Sequence, residues 1–253
     1  MNLSQDLQLY FPNEEQSQQF HDFFDIKEKP SKIETQFYKK TEKYLKYISW
    51  LPGLRMVWVG NTIAMNCSKK SSDIDLYIVT SPKRMWIIRI CVTFIFQILW
   101  VRKTVHRHAG RFCLSFFSTT EALNFWEFKI DNDIYLYFWI VYFKPILNKN
   151  NTYEKFIDQN TSWADLSIYD NIIQENKKYI LYNQQGAERN IFSKIWNICE
   201  SCIKYLFLPK TLKHYEKIWK PYWVIINNNM LKFHNWDIRK EISQKFHKKN
   251  PAT

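Results

Sequence analysis

The stretch Val57 to Thr80, VWVGNTIAMNCSKKSSDIDLYIVT, constrains this chain more than any other. It opens with an apolar run, Met56 to Val59, that reads as a buried strand. Gly60-Asn61 breaks the run, as such pairs do where the backbone turns. A second strand comes next in Ser71 to Val79, rich in β-branched residues. It carries Asp73 and Asp75 at i and i+2, so the two carboxylates point the same way. Like charges on one face of a buried strand repel, and a cation between them makes the pair tolerable. Hard oxygen ligands suit Mg²⁺. The competing reading is a surface strand with two solvated aspartates, but both flanks are too apolar for that.

Gly60-Asn61, an eleven-residue gap, then Asp73-Ile74-Asp75 within Ser72 to Leu76 resembles the signature of the DNA polymerase β-like nucleotidyltransferases, especially the minimal ones. Ala64 and the polar Ser68-Lys69-Lys70-Ser71 segment fit the same pattern. The resemblance covers about Ile33 to Leu147. Beyond that it rests on His234, Asp237 and Arg239 alone. It implies a fold of the α/β (α+β) class: a nucleotidyltransferase-type mixed sheet flanked by helices, then a mostly helical C-terminal part. It further implies metal-dependent transfer of a nucleoside monophosphate from a nucleoside triphosphate to an acceptor hydroxyl. Asp73 and Asp75 would be catalytic and would hold Mg²⁺, or Mn²⁺ in its place. Gly60, Asn61, Ser71 and Ser72 would bind the nucleotide. Gly60 would let the backbone approach the phosphates, and the Asn61 amide would donate to a phosphate oxygen. The two serines read equally well as turn residues before a strand.

The third strand departs from the family pattern. Arg111 to Ser118, RFCLSFFS, places Cys113, Ser115 and Phe117 on one face and Phe112, Leu114 and Phe116 on the other. In the family a third carboxylate usually stands on such a strand; here the more polar face offers Cys113 and Ser115. Glu121, Asp131 and Asp133 are the nearby acids that could replace it by position, although each reads also as a helix-start or loop charge. A fold without that carboxylate could bind nucleotide or RNA and catalyse nothing.

The remaining chain reads in three parts. Residues 1–31 form an N-terminal extension broken by Pro12 and Pro30. Residues 32–147 form the nucleotidyltransferase-like domain, opening with a helix from Lys32 to Trp50. Residues 152–253 form a helical, basic region beyond a polar run, Leu147 to Asn151, that reads as the linker. Met85 to Val101 reads as a very apolar helix, but Arg89 and Gln97 interrupt it, so no transmembrane span is expected. It would lie buried against the sheet or on a membrane surface, and the latter makes a membrane-associated protein a third reading. Thr119 or Thr120 should cap a helix starting at Glu121, and Ile134 to Phe143 should continue it. A longer helix is expected near Ser193 to Phe207, with Ile195, Ile198, Cys202 and Leu206 on one stripe. Pro209 and Pro221 should punctuate the chain beyond that helix, and a last basic helix should run from Ile238 to Lys248.

Charge is unevenly placed. The chain carries +12, and from Ser193 onward there are 12 Lys and Arg against 4 Asp and Glu. Such a segment, interleaved with aromatics, is compatible with RNA or an anionic surface. The loop Arg102 to Arg111 holds His106 and His108, which read as exposed or as phosphate contacts. A single C-x-x-C pair, Cys199 and Cys202, has no second pair to make a zinc site. Reduced thiols, a polar N-terminus without a signal peptide, and a cytoplasmic location are the corresponding expectations. The acceptor is left open among RNA, protein and small molecules.

Overall fold

The computed structural model describes residues 9–185, 193–217, 224–233 and 238–247. Among them the chain runs α1 (Glu14–Phe24), α2 (Lys32–Leu45), β1 (Leu54–Val59), α3 (Asn61–Ala64), β2 (Ile74–Thr80), α4 (Met85–Ile98), β3 (Phe112–Thr119), α5 (Ile134–Tyr142), β4 (Lys144–Lys149), α6 (Thr152–Asn160), α7 (Asp170–Asn176), β5 (Tyr182–Gln184), α8 (Ser193–Lys217), β6 (Ile225–Ile226), β7 (Met230–Lys232) and α9 (Arg239–His247). The strands form one mixed sheet in the order β5-β4-β1-β2-β3-β7-β6. Helices flank it, so the fold is of the α+β class.

Alternation along the strands divides the core in two. Met56, Trp58, Tyr77 and Val79 face a cluster with α1, α5, α6 and α9 that is dense in aromatic rings. Trp58 meets Phe143 and Phe156 edge to face, with centroids 4.1 and 4.2 Å apart. Val57, Val59, Ile74, Leu76 and Ile78 face the other layer, with α2 and α4. The helix α4 buries Met85, Trp86, Ile88, Val92 and Phe96. Its first-turn amides at Trp86 and Ile87 donate to the Glu200 carboxylate of α8, each at 2.9 Å. A carboxylate at a helix N-terminus satisfies orphan donors and complements the dipole. Phe94, Ile98 and Trp100 remain exposed. No helix among the described residues is long and apolar enough to cross a membrane.

Several expectations are corrected. The polar run read as a linker lies partly in β4, which pairs with β1 and β5 inside the sheet. Pro145 obscured it. The strand is irregular there, and a proline without an N–H is tolerated at a bulge. Strands later than residue 147 therefore complete the sheet begun before it. No helix starts at Glu121. The Asn160 side chain accepts from the Phe125 amide and Asn124 from the Trp126 amide, and these local bonds replace helical ones with a turn and a 3₁₀ segment, Trp126–Phe128. Pro209 does not end α8. The carbonyl it leaves without a donor belongs to Tyr205, an exposed residue that water can reach. The expected stripe on α8 faces outward, with Ile195, Ile198 and Leu206 exposed. The helix expected from Lys32 to Trp50 is α2 and ends at Leu45, and α9 is described over Arg239–His247, with Lys248 outside the described residues. Pro221 lies outside the described residues. The N-terminal extension is anchored: α1 inserts Phe20, fully buried, against Phe138 of α5.

Candidate functional site

The acid pair sits where β1 ends and β2 begins. The two strands are antiparallel, so Gly60, just past β1, comes back beside the start of β2. The Gly60 amide donates to the Asp75 carbonyl at 3.1 Å. Asn61 is next, in the left-handed region, φ 54°, which Asn tolerates better than most residues. From there its Nδ2 donates to Asp75 Oδ2 at 2.7 Å. The Tyr135 hydroxyl of α5 reaches Asn61 Oδ1 at 3.4 Å. The short α3 behind the turn is held by Lys144, whose buried ammonium donates to the Ala64 carbonyl at 2.8 Å. Burial pulls Lys144 down to about 8.

β3 lies parallel to β2 and pairs Asp75 with Cys113. Between Asp75 and Tyr77 on β2 the partners advance from Cys113 to Phe116, so β3 carries an extra residue. This bulge overturns the expected alternation. Phe116 enters the aromatic core, while Phe117 joins Phe112 in the other layer. Bulges re-aim side chains beside functional sites. Cys113 and Ser115 stay together, with Sγ donating to Oγ at 3.3 Å.

Asp73, Asp75 and Cys113 thus converge. One ligand atom from each lies within 4.8 Å of the others. A fourth group completes the corner: Lys103, on the loop before β3, places Nζ 2.5 Å from Asp73 Oδ2. The loop is fixed by backbone bonds, Lys103 N–H to Phe112 carbonyl at 2.8 Å and Gly110 N–H to Ser72 carbonyl at 2.7 Å. His106 and His108 are exposed on it.

Burial and a neighbouring charge disturb the ionisation of Asp75. Burial, then the Asp73 charge, pushes the Asp75 carboxyl up to about 6, against the hydrogen bonds of Asn61 and Cys113. Burial and the Asp75 charge push the Cys113 thiol well up. Burial pulls Lys103 down, but its bond to Asp73 and the surrounding negative charge outweigh this and raise it.

The expected nucleotide-binding residues meet different fates. A Cβ on Gly60 would stand 2.8 Å from Phe143 Cε1 and 3.1 Å from Trp139 Nε1. The glycine is therefore needed for packing against the aromatic core. The Asn61 amide is engaged by Asp75. Ser72 is a turn residue, its Oγ accepting from the Lys69 amide at 3.0 Å. Ser71 is exposed beside it. Glu121, Asp131 and Asp133 are absent from the converging group. Asp133 caps α5 through the Leu136 amide and pairs with Arg239 Nη1 at 3.1 Å. Arg239 is thus a structural partner, while His234 and Asp237 lie outside the described residues. Lys103 is not found by sequence reasoning. Its place in a basic loop beside an acidic strand is the signal that could have pointed to it.

Compared with known proteins, the chain matches no family model, no curated protein and no solved structure.

Proposed function

We propose that the chain is a metal-dependent nucleotidyltransferase, moving a nucleoside monophosphate from a nucleoside triphosphate to an acceptor hydroxyl. One observation carries the reading: Asp73 and Asp75, spaced as in Asp-x-Asp, converge beside the Gly60-Asn61 turn, where β1 ends and β2 begins. The donor set suits a divalent cation, because two carboxylates and a third ligand atom already face one point. When bound, such an ion supplies neutralisation of triphosphate charge. Asn61 orients Asp75, and Tyr135 steadies Asn61. Lys103 balances Asp73 and, once that carboxylate is engaged elsewhere, offers a charge-assisted donor to a phosphate oxygen. Cys113 stands toward this corner, in register with Asp75, and donates to the Ser115 hydroxyl.

A second reading, nucleotide or RNA binding without transfer, is favoured by two features. The third position holds a thiol instead of a carboxylate, and a lysine already neutralises Asp73. Basic residues of α8 such as Lys194, Lys204, Lys210 and Lys213 would then serve an RNA partner. Incubation with each labelled triphosphate and a divalent cation, with RNA and protein acceptors, separates the two. Transfer lost in Asp73→Ala and Asp75→Ala supports the transferase. Salt-sensitive RNA binding with no turnover supports the binding module.

A further inference from the structure

The metal that suits this corner differs from the one the acid pair alone suggests. Mg²⁺ is a hard cation that takes oxygen ligands and gives up its water reluctantly. Cys113 brings sulfur to the third position, in register with Asp75 on the neighbouring strand. Its Sγ is within 4.8 Å of a carboxylate oxygen from both aspartates. A thiolate ligand selects borderline and soft ions, and Zn²⁺ accepts mixed sulfur and carboxylate donors. Charge points the same way. A divalent ion, two carboxylates, a thiolate and the Lys103 ammonium sum to neutrality. The same group with Mg²⁺ and an intact thiol keeps a net positive charge in a partly buried pocket, where uncompensated charge is costly.

We propose that Asp73, Asp75 and Cys113 form a site for a thiophilic divalent ion of the Zn²⁺ and Co²⁺ class, with Lys103 as a neighbouring counter-charge. The proposal deepens the transferase reading, on which it rests for the use of the metal but not for its binding. Coordination forms a metal–sulfur bond and releases the thiol proton to water. Three protein donors leave a four-coordinate ion one open position, as catalytic zinc sites do.

The test is Co²⁺ titration of the full chain carrying Cys199→Ser and Cys202→Ser, which removes the two exposed thiols. The expected result is a sulfur-to-cobalt charge-transfer absorption that disappears in Cys113→Ser. Equilibrium dialysis should show Zn²⁺ held at least about tenfold more tightly than Mg²⁺. Cys113→Asp should narrow or reverse that preference, which guards against a Ser variant that merely folds poorly. Cobalt bound without the sulfur band, or Mg²⁺ competing on equal terms in the parent protein, overturns the proposal. The two readings also fail separately. Turnover supported equally by Mg²⁺ removes the metal assignment and keeps the transferase. A Cys113-dependent cobalt band with no turnover of any triphosphate does the reverse.

Discussion

Two aspartates in this molecule pair with cations, and the contrast between them separates architecture from chemistry. Asp133 and Arg239 are nearly sealed, with side chains 1% and 6% exposed. The Asp133 carboxylate also accepts from the Ile130 and Leu136 amides, and Arg239 also donates to the Phe128 carbonyl. Together these bonds tie α5 to α9. Asp73 and Lys103 are 21% and 41% exposed. Their pair joins a long, flexible side chain to a carboxylate that stands beside another carboxylate and a thiol. The first arrangement is complete without a ligand. The second gathers negative charge against one lysine, and gains from a further cation.

The largest expected effect breaks the sealed pair. Asp133→Ala should lower unfolding free energy by about 3–5 kcal/mol in urea titration, since it leaves a buried guanidinium without its carboxylate. Loss of under about 1 kcal/mol would put the two aspartates in one class. Next, saturating Zn²⁺ or Co²⁺ at about 100 times Kd should stabilise the parent protein by about 2.7 kcal/mol. The same ions should leave the melting of Asp75→Ala unmoved. Gly60→Ala should cost about 1–3 kcal/mol, because its methyl group meets the Phe143 ring. It tests whether the aromatic wall behind the acid pair is as unyielding as the sealed pair. Acid pH sharpens the contrast further. With its folded value raised from 3.8 to about 6, Asp75 holds a proton that the unfolded chain releases. Metal-free protein should therefore lose stability as pH rises from about 4 to about 6. Asp75→Asn should abolish that slope, read from denaturant midpoints across the range. The smallest effect belongs to Asp73→Ala, with a stability change within about 1 kcal/mol for a partly exposed pair. Its loss of metal binding should nevertheless be complete.

How much of this is legible in the sequence depends on how local each feature is. Gly60-Asn61 and Asp73-x-Asp75 are short-range patterns, and β1, β2, β3 and α4 lie close to where periodicity and turn residues put them. Alternation correctly assigns Cys113 to the face of the acid pair. It misplaces Phe116 and Phe117, because a bulge depends on the neighbouring strand and leaves no mark in a single run of residues. β4 is hidden by Pro145 and by polar residues that find buried partners, such as Asn148, whose side chain accepts from the Tyr153 amide. The role of Gly60 escapes sequence reading for a similar reason: the Phe143 ring that excludes a Cβ lies more than eighty residues away in sequence. Lys103 and the Asp133–Arg239 pair are likewise contacts across the fold.

The interleaved sheet has a consequence for synthesis. β1, β2 and β3 are complete once residue 119 has emerged, yet one edge of β3 is paired by β7, at Met230–Lys232. During the intervening elongation that edge would present unpaired amides and carbonyls from a strand containing Phe116 and Phe117. Such an edge invites pairing with other chains. Ribosome-bound intermediates of this protein should therefore depend on chaperone cover until the last strands arrive.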